Sequence, residues 1–267
     1  METIKPMQTS SRIQQTFEQK EKEKLAIYFT AGYPHLEDTN VILQALEESD
    51  VDIIEIGIPY SDPLADGETI QATGQKALEN GMNLSKLFDQ LKSLRKITQK
   101  PIFLMGYCNN VLKYGTEKFC QQCAEVGVDG LILPDMPMPE YKIQFQPYFD
   151  KYGLKNVFLV TPKTSDDRIR EIDALDGGFI YMVSSAATTG GSWQESPERI
   201  AYLKRIKDMN LRTPKMVGFG ISDYEALKLV NDYTDGAIVG SAFLRALDKD
   251  KLADSVKAFI KQIRTAS

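Results

Sequence analysis

The feature that most constrains this chain is an alternation: eight short apolar runs, separated by helical patterns. The runs are Leu25 to Thr30, Val51 to Ile56, Ile102 to Met105, Gly130 to Leu133, Val157 to Val160, Ile180 to Val183, Lys215 to Gly218 and Gly236 to Val239. They are short and rich in β-branched residues, as strands are. In the second run both alternating faces are apolar, which suits a parallel strand buried on both sides. Helical spacing marks Leu36 to Glu48, where Val41, Leu43 and Leu46 face inward, and then Thr116 to Val126 and Glu140 to Tyr152. It returns at Ser165 to Leu175, Pro197 to Met209 and Asp223 to Asn231, and the last helices run from about Ala242 to Arg264. The one long gap, between the second and third strands, holds two helices, Glu68 to Leu78 and Leu84 to Lys96.

Before the first strand, Ser10-Ser11 can cap a helix that carries Ile13 and Phe17 and ends in the alternating run Lys20 to Lys24. Met1 to about Thr9 reads as a flexible leader. No linker or composition break divides the 267 residues. The pattern predicts an α/β protein: a single (β/α)8 TIM barrel domain over residues 1–267, with an extra N-terminal helix and extra helices at strand 2 and strand 8. The rival is an open doubly-wound sheet. That fold usually announces itself with G-x-G-x-x-G, and Gly218-Phe219-Gly220-Ile221-Ser222 lacks the third glycine.

Composition removes several function classes. A net charge of -5 argues against nucleic acid as partner, since that demands clustered Lys and Arg. No apolar stretch reaches the ~18 residues of a membrane span, and Met1 to Ser11 lacks a signal-peptide pattern, so the expected location is cytoplasmic. Cys108, Cys120 and Cys123 cannot build a disulfide framework. Cys120-x-x-Cys123 sits well inside a helix, beside Phe119 and Ala124, where the thiols act as small core residues. No second Cys or His pair completes a zinc site, and no metal is expected. The single histidine, His35, with no G-x-S-x-G, makes a Ser-His-Asp hydrolase a poor fit.

Chemistry concentrates in Val51 to Gly67. Glu55 interrupts an otherwise apolar strand, and a carboxylate there costs several kcal/mol to desolvate unless paired, protonated or at work. The strand stops at Gly57 and Pro59, and a loop then delivers Asp62, Asp66 and Glu68 before the next helix. Each acid has a plainer reading: a buried salt bridge for Glu55, a helix cap for Asp66, a turn at Asp62-Pro63. Together, a sheltered Glu55 and a wetter Asp66 that stays ionised can supply an acid and a base from one site.

A second cluster lies at the last strand ends. Gly218-Phe219-Gly220-Ile221-Ser222-Asp223 follows the seventh strand, and Gly240-Ser241-Ala242 follows the eighth and opens a helix. Glycines there let backbone N–H groups approach an anion, and phosphate sites between strands seven and eight recur in this barrel. The alternative is that these glycines only make tight turns. Thr188-Thr189-Gly190-Gly191-Ser192 follows the sixth strand and could close over the same place as a lid.

With these residues in hand, the chain from about Arg12 onward resembles the tryptophan synthase alpha subunit family. The resemblance rests above all on Glu55-Ile56-Gly57-Ile58-Pro59-Tyr60-Ser61-Asp62-Pro63-Leu64-Ala65-Asp66-Gly67. Phe29-Thr30-Ala31-Gly32-Tyr33-Pro34, Gly218-Phe219-Gly220-Ile221 and Val239-Gly240-Ser241-Ala242 match in order and spacing. It implies a (β/α)8 barrel and a lyase that cleaves indole-3-glycerol phosphate to indole and glyceraldehyde 3-phosphate, without cofactor or metal. It implies Glu55 and Asp66 as the catalytic pair and Tyr181 as an auxiliary. Tyr28, Ile70, Met105, Tyr107 and Ile132 match the positions that line the indole slot, and Gly190, Gly220, Gly240 and Ser241 the phosphate positions.

The same resemblance implies a partner, a β subunit that carries pyridoxal phosphate, in an alpha2-beta2 heterotetramer. Pro59, Asp62, Asn109 and Asp135 match the face that meets it, and Pro134 to Pro139 is expected to be an exposed rigid run. The chain departs from the family in two places. The lid reads Ser184-Ser185-Ala186-Ala187-Thr188-Thr189-Gly190 where many members carry Ser-Arg-Ala-Gly-Val-Thr-Gly, and Asn110 stands where a proline is common. Other readings remain: a stand-alone indole-releasing lyase, an activator of a β subunit that cleaves poorly, and metal-dependent aldol chemistry through Asp62, Asp66 and Glu68.

Overall fold

A computed structural model describes residues 11–19, 23–175, 177–183, 196–218 and 220–266. Eight parallel strands close on themselves in sequence order. They are β1 Lys24–Thr30, β2 Ile53–Gly57, β3 Ile102–Met105, β4 Gly130–Ile132, β5 Lys155–Val160, β6 Ile180–Val183, β7 Lys215–Gly218 and β8 Gly236–Val239. Pairing of β8 with β1 completes the ring, with Ala26 opposite Ile238. This is the (β/α)8 barrel that the alternation predicts.

Around it run α1 Arg12–Gln19, α2 Thr39–Glu47, α3 Glu68–Glu79, α4 Leu84–Leu91, α5 Leu94–Ile97, α6 Cys108–Tyr114 and α7 Thr116–Val126. The circuit continues through α8 Met138–Glu140, α9 Gln146–Tyr152, α10 Asp166–Asp173, α11 Pro197–Asp208, α12 Tyr224–Asn231, α13 Ser241–Ala246 and α14 Leu252–Arg264. Side-chain caps start several of them. Asn83, Ser165, Ser196 and Asp223 each accept a backbone N–H from the first turn of the helix that follows, supplying a partner to a donor the helix cannot satisfy itself. Among the described residues, no helix is long and apolar enough to cross a membrane.

Several boundaries differ from the sequence reading. The helix expected from Leu36 starts as a tight turn over Leu36–Asp38, and only then becomes α2. Leu43 and Leu46 face inward as expected, but Val41 does not: it is 43% exposed, and Ile42 is fully buried in its stead. The span Leu84 to Lys96 breaks into α4 and α5. The helix expected from Glu140 begins at Met138 and passes through a π-helical turn, Tyr141–Phe145, before α9. The short α6 has no counterpart in the apolar pattern; Gly115, at φ 95°, separates it from α7. The proline run is only half exposed, because Met136 and Met138 turn into the core while Asp135, Pro137 and Pro139 face out.

The amino-terminal end of the barrel is tied by ions. Asp129, almost buried, takes Arg95 at 2.6 Å, Arg12 at 2.8 Å and the Ile102 N–H at 2.8 Å. Asp52 takes the Leu25 N–H at 2.9 Å and Arg264 of α14 at 2.7 Å. In this fold that end serves stability, which leaves the carboxyl end for chemistry. Inside the barrel, Tyr28, Glu55 and Phe103 pair across β1, β2 and β3 at one level. Phe103 meets Phe179 edge to face at 5.1 Å.

Candidate active site

The two acids come together at the carboxyl end. Glu55 lies in β2 with no exposed surface, and neither carboxyl oxygen has a hydrogen-bond partner among the described residues. A buried salt bridge therefore does not account for it. Burial alone pushes its pKa up, to about 8, because the charged form has lost water and gained no partner. At neutral pH the side chain is chiefly the neutral acid.

Asp66 is half-buried on the loop between β2 and α3. It does not cap that helix: Gly67 holds the cap position, and no side chain bonds the first turn there. Its Oδ2 accepts a 2.9 Å hydrogen bond from the Tyr107 hydroxyl, which itself accepts the Ala65 N–H at 3.0 Å. Burial moves its pKa up, to about 6, against the opposing pull of the Tyr107 hydrogen bond. The contrast between the acids is thus smaller than the sequence suggests. Both are shifted upward by burial, yet Glu55 stays protonated and Asp66 ionised between about 6 and 8.

Tyrosines surround the pair. Tyr28 is opposite Glu55 in the β1–β2 register, and its ring lies over Gly57, where an added Cβ would stand 2.1 Å from the phenol oxygen. Tyr181 does the same on the far side, with Gly218 as its bare strand position and a Cβ there 2.3 Å from its oxygen. Glycine is required at both places so that a ring can fold across the mouth of the barrel. Burial first, then the negative charges of Glu55 and Asp66, push both phenols well above the usual tyrosine range. Met105, Ile132 and Tyr107 are buried around the same end, and Ile70 of α3 packs partly buried against the hydrophobic core.

The remaining sequence candidates separate into three groups. Gly240 caps α13 and packs over the Tyr28 ring, Ser241 is the first residue of that helix, and Gly220 adopts φ 81° just after β7. Asp62, Asn109 and Asp135 are exposed on the rim, whereas Pro59 is buried. Gly190, Thr188, Thr189 and Phe219 lie outside the described residues, as do the rest of the lid and Trp193. Sequence reasoning assigned Tyr107 to an apolar slot and missed its bond to Asp66. Its place just after β3 was the available signal, since barrel sites gather strand ends.

An acid and a carboxylate held at the carboxyl ends of parallel barrel strands define an acid–base enzyme on a (β/α)8 scaffold. Residues 14–266 match the family model described as "Tryptophan synthase alpha chain". The chain is 50% identical over 246 residues to the tryptophan synthase alpha chain of Christiangramia forsetii, covering 92% of this chain and 96% of that one. Its fold is similar to the crystal structure of tryptophan synthase subunit alpha from Legionella pneumophila, with TM-score 0.86, 32% identity, and 96% and 98% of the two chains covered. It is also similar to a chain of tryptophan synthase from M. tuberculosis in an aminoacrylate-bound form, with TM-score 0.83, 28% identity, and 96% and 98% covered. The chain belongs to the tryptophan synthase alpha chain family. The activity of that family is the cleavage of indole-3-glycerol phosphate to indole and glyceraldehyde 3-phosphate, a lyase step in tryptophan biosynthesis.

Proposed function

We propose that Glu55 and Asp66 perform this cleavage together, within one barrel domain. The observation that carries the reading is a buried glutamic acid with no hydrogen-bond partner among the described residues, level with Tyr28, followed eleven residues later by an aspartate held on Tyr107. Breaking the bond from indole C3 to the glycerol chain requires C3 to be protonated first. Protonated Glu55 gives that proton, which leaves an indoleninium with positive character at N1. The Asp66 carboxylate accepts the N1–H hydrogen bond and stabilises the charge as it develops. Glu55, now a carboxylate, removes the proton of the adjacent hydroxyl. The carbon–carbon bond breaks, its electrons restore the indole ring, and the hydroxyl carbon leaves as the aldehyde. Glu55 ends as it began, protonated, so the cycle balances without an external proton.

Tyr28, Ile70, Met105, Tyr107 and Ile132 line the slot for the indole ring, with Tyr181 as an auxiliary beside it. Backbone N–H groups at Gly218, Phe219, Gly220, Gly240, Ser241 and Gly190 hold the phosphate, and Thr188 and Thr189 belong to the lid. The chain needs no cofactor of its own; pyridoxal phosphate belongs to a β subunit that docks on the rim bearing Asp62, Asn109 and Asp135. Pro59, buried in the isolated chain, shapes that face from beneath. The assembly is an alpha2-beta2 heterotetramer in the cytoplasm.

The test is indole release from purified chain, with and without a β subunit, for the native sequence, Glu55→Gln and Asp66→Asn. Each variant loses at least about 100-fold in turnover while retaining its fold. Near-normal turnover by either variant contradicts the assignment, and full activity without any partner favours the stand-alone reading.

A further inference from the structure

Tyr60 lies on the loop that carries Asp66, facing the first turn of α6, and no step above uses it. Its ring stacks on that of Tyr107, with centroids 5.0 Å apart and planes inclined by 28°. Its hydroxyl accepts a 2.9 Å hydrogen bond from Nδ2 of Asn109 in α6. That helix start is itself fixed, since the Cys108 N–H donates to the Asp135 carboxylate at 2.9 and 3.2 Å. A continuous set of contacts therefore runs from the rim to the site: Asn109 to Tyr60, Tyr60 to Tyr107, and Tyr107 to Asp66.

The middle contact matters because of leverage. A tyrosine hydroxyl stands roughly 6 Å from its Cα, so a swing of ~15° about the first side-chain bond carries it about 1.5 Å and breaks a hydrogen bond. The Ala65 N–H limits where the Tyr107 oxygen can sit, but only a neighbour along the ring face limits the swing itself. Tyr60 is the aromatic ring stacked there. We propose that Tyr60 is a positioning residue for the cleavage: its ring, anchored by Asn109, holds the Tyr107 hydroxyl on Asp66. The inference rests on the reading of Asp66 as the group that receives the indole N1–H.

Among the described residues, the ionisable groups around Asp66 are the phenols of Tyr28, Tyr107 and Tyr181, all pushed upward, and Glu55, which burial raises to about 8, so none of them titrates where Asp66 does. The substrate phosphate also ionises at about 6, but equally for every variant, so a shift of the acid limb between variants reports Asp66, whose ionised form the Tyr107 hydrogen bond favours.

The experiment measures kcat/KM for indole-3-glycerol phosphate from pH 5 to 9, without a partner subunit. The variants are Tyr60→Leu, Tyr60→Phe and Asn109→Ala, each alone and combined with Tyr107→Phe, with Asp66→Asn alongside. Tyr60→Leu is expected to lower kcat/KM about 3- to 10-fold and to move the acid limb upward. Tyr60→Phe keeps the stack and recovers most of the loss. Asn109→Ala, at an exposed position that should fold in any case, moves the limb in the same direction by less. In the Tyr107→Phe background both effects shrink to under about twofold, because the hydroxyl to be positioned is gone.

An unmoved acid limb in Tyr60→Leu overturns the inference, as does a loss that multiplies fully with that of Tyr107→Phe. If Asp66→Asn retains near-normal turnover, the reading of the site fails and the inference with it. If Asp66→Asn is inactive and the Tyr60 and Tyr107 losses multiply, only the role of Tyr60 fails.

Discussion

Replacing Glu55 by glutamine is expected to make the protein more stable while it destroys activity, and the size of the gain follows from the site. Burial raises the Glu55 pKa from 4.5 to about 8. Between those values the folded chain holds a proton there that the unfolded chain has released. Stability is fully present below pH 4.5 and is lost as pH rises toward 8, at about 1.4 kcal/mol per pH unit. At pH 7 the accumulated loss is about 3 kcal/mol, and above pH 8 it approaches about 5 kcal/mol. Glutamine keeps the shape of the neutral acid and never ionises, so it escapes this loss.

The assay is thermal unfolding of the native chain and Glu55→Gln at several values between pH 4.5 and 9. Other groups titrate over that range, but they are common to both proteins and cancel in the difference. For a chain of this size a gain of about 3 kcal/mol raises Tm by roughly 6–12 °C at pH 7. The gap should close toward pH 4.5 and widen to pH 8. A constant gap would refute the reasoning, as would a variant less stable at pH 7, because either result means that Glu55 is not a buried, unpartnered acid.

Three further outcomes test other parts of the molecule. The pH profile of kcat/KM should be bell-shaped with limbs near 6 and 8, the first from Asp66 together with the substrate phosphate and the second from Glu55, falling at least about tenfold by pH 5 and about tenfold by pH 9; a profile flat across this range contradicts the two roles. Gly57→Ala places a Cβ 2.1 Å from the Tyr28 oxygen, so the ring must leave its place. Urea denaturation should show a loss of about 1–3 kcal/mol, with a raised KM. Asp129→Ala takes the carboxylate from Arg95 at the opposite end of the barrel, leaving its partly buried charge on the carbonyls of Gly127, Thr98 and Lys100, and should cost about 3 kcal/mol in the same measurement, with kcat unchanged where the chain stays folded.

How far the sequence could be read depended on where each signal resides. Strands β3, β6, β7 and β8 were legible to the residue, because a parallel strand buried on both faces is a solid apolar run with sharp ends. Helix faces were less legible: Val41 and Ile42 are equally apolar, and only tertiary packing decides which of two adjacent residues points inward. The helix α6 left no trace because seven residues with two asparagines carry too few apolar positions to show a period. The same limit applies to the site. Glu55 could be found from sequence because a charge inside an apolar strand is an anomaly in one dimension. Tyr107 and Tyr60 are ordinary aromatic residues in one dimension, and their value arises only when pairing of β3 with β2 sets the end of β3 beside the loop after β2. A residue that does chemistry by being unlike its neighbours is visible in the sequence, whereas one that acts by holding another in place becomes visible only with the fold. The groups that aim Asp66 therefore had to come from the structure, although Asp66 itself did not.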